Sequence, residues 1–141
     1  MFLGEFTHTI DNKGRLTIPA KFRGELAEGL VVTRGFDQNL MLFTMEGWRE
    51  LAGKIAERPL ADEDVRAFRR RVFSGAIDLE PDRQGRILLP PYLREFAAID
   101  GDVIIAGMYN YVELWNPEAW QAVRSVIDDS SDAARWDDLG I

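Results

Sequence analysis

The chain has 141 residues, 46% of them hydrophobic, which suits a buried interior and is too apolar for a disordered segment. It contains no cysteine and a single histidine, His8, so disulfides, thiol catalysis and thiolate metal sites are excluded and no cofactor is expected. The formal net charge of −7 argues against indiscriminate attraction to nucleic acid, and apolar runs such as Ile87–Leu93 and Val103–Ala106 are too short to span a bilayer.

In chain order, alternating apolar residues predict a first strand over about Glu5–Ile10, a turn at Asn12-Lys13-Gly14 and a second strand over Arg15–Ile18. Pro19 opens a short helix, Ala20–Leu26, because a proline suits the first helical positions. Two apolar strands follow, Leu30–Thr33 and Leu40–Phe43. Thr44 then caps a helix from Met45 to about Glu57, with Pro59 beyond its end. Residues 62–72 predict a further helix carrying Arg66, Arg69, Arg70 and Arg71, whose simplest role is a solvated face.

The same plan then starts again. Residues 11–23, DNKGRLTIPAKFR, align without a gap on residues 82–94, DRQGRILLPPYLR: Asp11, Gly14, Arg15, Pro19 and Arg23 match Asp82, Gly85, Arg86, Pro90 and Arg94. Downstream, after one extra residue, Val31, Gly35, Leu42, Glu46 and Trp48 match Val103, Gly107, Leu114, Glu118 and Trp120. The second copy therefore predicts strands at Ala76–Glu80, Arg86–Leu89, Val103–Ala106 and Tyr111–Trp115, a helix at Pro91–Ala97, and a last helix opened by Asn116-Pro117-Glu118. The division is a first repeat over 1–57, a linker helix over 58–71, a second repeat over 72–127 and an acidic tail over 128–141, expected to be mobile or a short surface helix. Half-sheets this small are marginal alone. The expected fold is mixed α+β, mainly β: a small pseudo-twofold barrel of two interlocked half-domains with flanking helices, the alternative being two weakly packed modules.

Charge follows the repeats. Residues 1–57 carry 7 basic and 8 acidic side chains, 58–71 carry 5 and 3, 72–127 carry 4 and 8, and 128–141 carry 1 and 5. The nearly balanced first copy can hold a local basic patch. In the repeated Asp-x-x-Gly-Arg motif the glycine is free to take positive φ, and the turn brings Asp11 towards Arg15 and Asp82 towards Arg86. A carboxylate there can orient the guanidinium as a fork suited to phosphate or to guanine. Lys13 adds a charge at the first tip; Arg83 is placed to do so at the second. A purely structural clamp is the competing reading. Arg23 and Arg94 are expected to pair with nearby acids, and Trp48 and Trp120 to be core or subunit-contact residues. No Gly-rich phosphate loop, serine elbow or zinc spacing points to an enzyme.

These motifs resemble the MraZ family, whose halves belong to the SpoVT/AbrB superfamily. The resemblance rests on Met1-Phe2-Leu3-Gly4-Glu5, on Asp11-Asn12-Lys13-Gly14-Arg15-Leu16 with Pro19-Ala20-Lys21-Phe22-Arg23, and on the second signature from Asp82 to Arg94. It implies a cytoplasmic, nucleoid-associated regulator, usually a repressor. Such a regulator binds double-stranded DNA at short direct repeats upstream of a cell-division and cell-wall gene cluster and assembles into a closed ring. It implies no membrane and no small-molecule substrate. Carried over, the DNA-binding residues are Lys13, Arg15, Arg83 and Arg86, the orienting partners Asp11 and Asp82, and the turn glycines Gly14 and Gly85. Gln84 departs from the motif's lysine, which makes the second copy the weaker reader. An oligomeric scaffold without specific DNA binding is the alternative.

Overall fold

Short apolar strands cannot bury their faces or satisfy their edges alone, and here each copy takes partners from the other. The computed structural model describes residues 1–128 and 133–140. The first copy supplies β1 (Glu5–Thr9), β2 (Arg15–Thr17), α1 (Ala20–Leu26), β3 (Leu30–Arg34), β4 (Leu40–Thr44) and α2 (Met45–Ala56). The linker holds α3 (Glu63–Phe68). The second copy supplies β5 (Ile77–Leu79), β6 (Arg86–Leu88), α4 (Pro91–Phe96), β7 (Asp102–Gly107), β8 (Val112–Trp115) and α5 (Pro117–Asp128). The structure is mixed α/β with antiparallel pairings throughout.

Two open sheets result. The larger has six strands in the order β1-β7-β8-β4-β3-β5. The first strand of each copy thus leaves its own copy and pairs with the other: Phe6 faces Ile105, and Val31 faces Asp78. The smaller sheet is a ribbon of β2 and β6, with Leu16 opposite Ile87. A backbone bridge from Ile10 to Leu16 ties β1 to the ribbon.

Under the sheets, residues from both copies form one core: Phe2, Leu16, Phe22, Leu26, Ile87, Leu89, Leu93, Val103 and Leu114 are all buried. Phe22 sits edge-on to Phe2 and Phe6, with ring centroids 5.1 and 5.2 Å away. A smaller aromatic cluster joins Met41, Phe43 and Val72 with Trp48, Phe68, Phe73 and Tyr111, seating the linker on the first copy's sheet. Trp48 is thus a packing residue. Trp120 packs on Trp115 and donates to Glu5 at 3.0 Å.

Element boundaries differ from the sequence expectation by a residue or two. The linker departs more. Asp62 caps α3 through the Asp64 N–H, but from Arg69 to Phe73 the chain widens into one π-helical turn, in which the Ser74 N–H bonds back to the Arg69 carbonyl. The wider turn lets Val72 pack inward while Arg69 lies over the Phe73 ring. In the tail, Ala133–Leu139 form a 3-10 turn, whereas residues 129–132 and 141 of the expected acidic segment lie outside the described residues. Among the described residues no helix is long and apolar enough to cross a membrane.

Because Phe22 is fully buried in the shared core and packs edge-on against both Phe2 and Phe6, Phe22→Ala is expected to destabilise the chain by about 3–5 kcal/mol. Urea denaturation followed by tryptophan fluorescence measures it.

Candidate nucleic-acid interface

The ribbon carries the repeated motif. Gly14 and Gly85 have φ of +86° and +74°, the left-handed conformation that closes each turn. In the first turn the Gly14 N–H donates to the Asp11 carbonyl and the Asp11 N–H to the Arg15 carbonyl, both at 3.0 Å. The Asp11 carboxylate then fills the loop. Its Oδ1 accepts from the Lys13 and Arg15 N–H groups at 3.0 and 2.8 Å, and its Oδ2 accepts from Arg15 Nε at 2.6 Å. The second turn repeats this pattern: Asp82 Oδ1 accepts from the Gln84 and Arg86 N–H groups and Oδ2 from Arg86 Nε, each at 2.9 Å. Both ion pairs are partly open to solvent, with side-chain exposures of 36% and 35% for Arg15 and Asp11, and 29% and 41% for Arg86 and Asp82.

The clamp uses only Nε of each arginine. Among the described residues the terminal Nη atoms of Arg15 and Arg86 have no hydrogen-bond partner, so each guanidinium is oriented yet keeps donors to offer. Strand alternation sends Leu16 and Ile87 into the core and leaves Arg15, Thr17, Arg86 and Leu88 on the outer face. The register places Arg15 opposite Leu88 and Arg86 opposite Thr17, so the two arginines stand diagonally across the ribbon. The exposed side chains of Lys13 and Arg83 mark its two tips.

The turns are also stitched to each other's copy. The Gly14 carbonyl accepts from the Leu89 N–H, and the Gly85 carbonyl from the Ile18 N–H, both at 2.8 Å. Arg23 and Arg94, expected to pair with acids, instead donate Nε to the carbonyls of Ile18 and Leu89 at 3.0 Å. Arg23 also covers Gly85, and Arg94 covers Gly14, so closely that a Cβ on either glycine would meet guanidinium atoms at 2.5 and 3.0 Å. These arginines follow the proline by four residues in each copy, and the free carbonyls that end the short strands claim them before any carboxylate does. Sequence reasoning also missed Thr17 and Leu88, which share the outer face; the two-residue alternation from Arg15 and Arg86 was the available signal.

The Asp11 and Asp82 carboxyls are held below their ordinary value of 3.8, chiefly by the backbone N–H of the partner arginine, and further by its side chain and by the N–H of Lys13 or Gln84.

A ribbon that presents one carboxylate-oriented guanidinium per repeat, above a core shared by both repeats, defines a class of duplicated, mixed α/β protein with the repeated turn exposed on its surface. The family described as "MraZ protein, putative antitoxin-like" matches the chain twice, over residues 1–71 and 72–139. The chain belongs to the MraZ family. Among its relatives, "Transcriptional regulator MraZ" of Herpetosiphon aurantiacus is 53% identical over 94% of this chain and 93% of its own length. The protein of the same name from Roseiflexus castenholzii is 52% identical over 91% and 90%. That from Thermoanaerobacter pseudethanolicus is 44% identical over the whole of both chains.

Two outcomes follow from the turn geometry. A Cβ at Gly14 would lie 2.8 Å from the Leu89 carbonyl oxygen and hold an unfavourable φ, so Gly14→Ala is expected to cost about 1–3 kcal/mol by thermal or urea unfolding. Since the folded carboxyl values lie below 3.8, the clamps' stabilisation is complete above the unfolded value and is lost only as pH falls through the folded one. NMR titration of the Asp11 and Asp82 carboxyl carbons should give midpoints below 3.8. Arg15→Ala should raise the Asp11 midpoint only partway, because the larger cause, the residue 15 N–H, survives.

Proposed function

We propose that the protein is a sequence-specific, double-stranded DNA-binding transcriptional regulator, acting as a repressor at short direct repeats upstream of its own cell-division and cell-wall gene cluster. The observation that carries this reading is the pair of clamps on one outward ribbon, each holding an arginine by Nε at 2.6 or 2.9 Å with its terminal nitrogens free. The names of the relatives point the same way.

In this reading Lys13, Arg15, Arg83 and Arg86 are the DNA-binding residues, Asp11 and Asp82 orient the two clamped arginines, and Gly14 and Gly85 shape the turns. A two-stranded ribbon fits the major groove, where a forked guanidinium can meet guanine O6 and N7. The charges at the tips reach backbone phosphate, which positions the ribbon without reading sequence. Exposed Leu88, opposite Arg15, supplies apolar contact for a thymine methyl. With Gln84 in place of lysine, the second turn carries its tip charge one position earlier, on Arg83, so each turn sets two basic residues against one aspartate. The chemistry is recognition and not catalysis, and the place of action is the nucleoid in the cytoplasm.

The repeats 1–57 and 72–127 are half-domains related by an approximate twofold axis and interlocked by strand exchange over one core, in open sheets and not the closed small barrel the sequence led us to expect, with 58–71 as linker and 128–141 as tail. Support comes from the strand order, in which β1, β7 and β8 on one side correspond by repeat to β5, β3 and β4 on the other. With a net charge of −7, one subunit on one repeat binds weakly. A closed ring of subunits gains by presenting several ribbons to successive repeats at high effective concentration.

Fluorescence anisotropy with a duplex from the chain's own upstream region tests this. Wild type is expected to bind in a salt-sensitive way and to ignore shuffled DNA, and Arg15→Ala to lose at least about tenfold in affinity, the worth of roughly one good bidentate base contact. No binding by the folded wild type, or equal binding by Arg15→Ala, rules the assignment out.

A further inference from the structure

Away from the ribbon, uncompensated positive charge gathers where the linker meets β3 and α4. Arg34, Arg70 and Arg71 line an open groove of about 520 Å³ together with Ala67, Tyr92 and Phe96, and Glu95 is the one acid beside them. The groove is built, not incidental. Arg34 and Arg71 place their guanidiniums over the Phe96 ring at 5.8 and 5.1 Å, Arg71 Nε donates to the Gly35 carbonyl at 2.8 Å, and the Tyr92 hydroxyl donates to the Gly75 carbonyl at 3.0 Å. Among the described residues no carboxylate pairs with Arg34, Arg70 or Arg71.

The opposite chemistry lies at the C-terminal end. Residues 128–141 hold 5 of the chain's acids against one arginine. In the 3-10 turn, Trp136 and Leu139 flank Asp137 and Asp138 and are 45% and 63% exposed. The helix leading into this segment, α5, packs on β7 and reaches Glu5 of β1 through Trp120, whereas the π turn of the linker packs on β3. In the six-stranded order, β1-β7 and β3-β5 are opposite ends.

We propose that this arginine–aromatic groove receives the acidic C-terminal segment of a second copy of the chain. Asp137 and Asp138 meet the guanidiniums, and Trp136 lies against the Tyr92–Phe96 wall, where an aromatic face and an arginine stack together. Because the groove and the helix that carries the segment lie at opposite ends of the sheet, the contact runs head to tail, a heterologous interface that propagates from copy to copy. It deepens the assembly reading above and rests on it only for the presence of a second copy; it does not depend on DNA binding.

The absence of cysteine permits a direct test in the full-length chain. Ala67→Cys marks the groove and Leu139→Cys marks the segment; the two proteins are mixed and oxidised, and the mixed disulfide is followed by non-reducing electrophoresis. It is expected to form faster than either homodisulfide and to slow with added salt. Asp137→Lys with Asp138→Lys in the Leu139→Cys protein should slow it on the order of tenfold, the low end of electrostatic steering. Adding Arg70→Glu to the groove protein should recover much of that loss.

No mixed disulfide between folded proteins overturns the proposal, as does a rate indifferent to these charges. So does a double-cysteine chain that closes on itself and yields no cross-linked pairs. Sedimentation of the unmodified protein separates the two readings: oligomers without the mixed disulfide sink this contact alone, and monomers sink the assembly as well.

Discussion

The carbonyl oxygens of Gly14 and Gly85 accept hydrogen bonds from the strand ends of the opposite copy, Leu89 and Ile18. Much of the molecule depends on that exchange. It joins the two turns through a ribbon only three residues long on each side, too short to stand on its own pairing. It also requires a backbone approach so close that the turns must carry glycine at positive φ, and it leaves each glycine roofed by an arginine of the other copy. A change at either glycine is therefore felt in both repeats.

The duplication solves a size problem. One copy has four short strands and two helices, and the ladder of its first strand forms with the other copy, its own copy being reached by β1 through the Ile10–Leu16 bridge in the first repeat. Giving β1 to β7 and β5 to β3 covers the vulnerable edges of β3 and β7, and it merges two meagre sets of apolar residues into one core. Phe68 of the linker, with Val72 and Phe73 at the start of the second repeat, then packs on Met41 and Phe43 of the first copy, so the two copies are not equivalent outside the core.

The exposed clamps follow from the same geometry. Arg15 and Arg86 point outward because Leu16 and Ile87 must point inward, and the register sets them diagonally. Each aspartate accepts two backbone N–H bonds before it holds the guanidinium, so the turn and the arginine's orientation are fixed together. Exposed ion pairs of this type contribute little to stability. Their consequence is a guanidinium whose direction is set while its outer nitrogens stay available.

The sequence by itself determined the repeat, the order of the elements and the pairing of Asp11 with Arg15 and of Asp82 with Arg86. All of these rest on local physics: periodicity, capping, and a carboxylate four residues from its arginine across a glycine turn. Only the tertiary structure decided which copy each strand joins, that Arg23 and Arg94 serve backbone carbonyls and not acids, and that Thr17 and Leu88 share the face of the clamped arginines. The π-helical turn at Arg69–Phe73 belongs with these, since its widening accommodates Val72 against the distant Met41 and Phe43. The strand exchange behind these choices joins residues far apart in sequence, such as Gly14 and Leu89, and burial and the need to pair every free carbonyl there outweigh local preference.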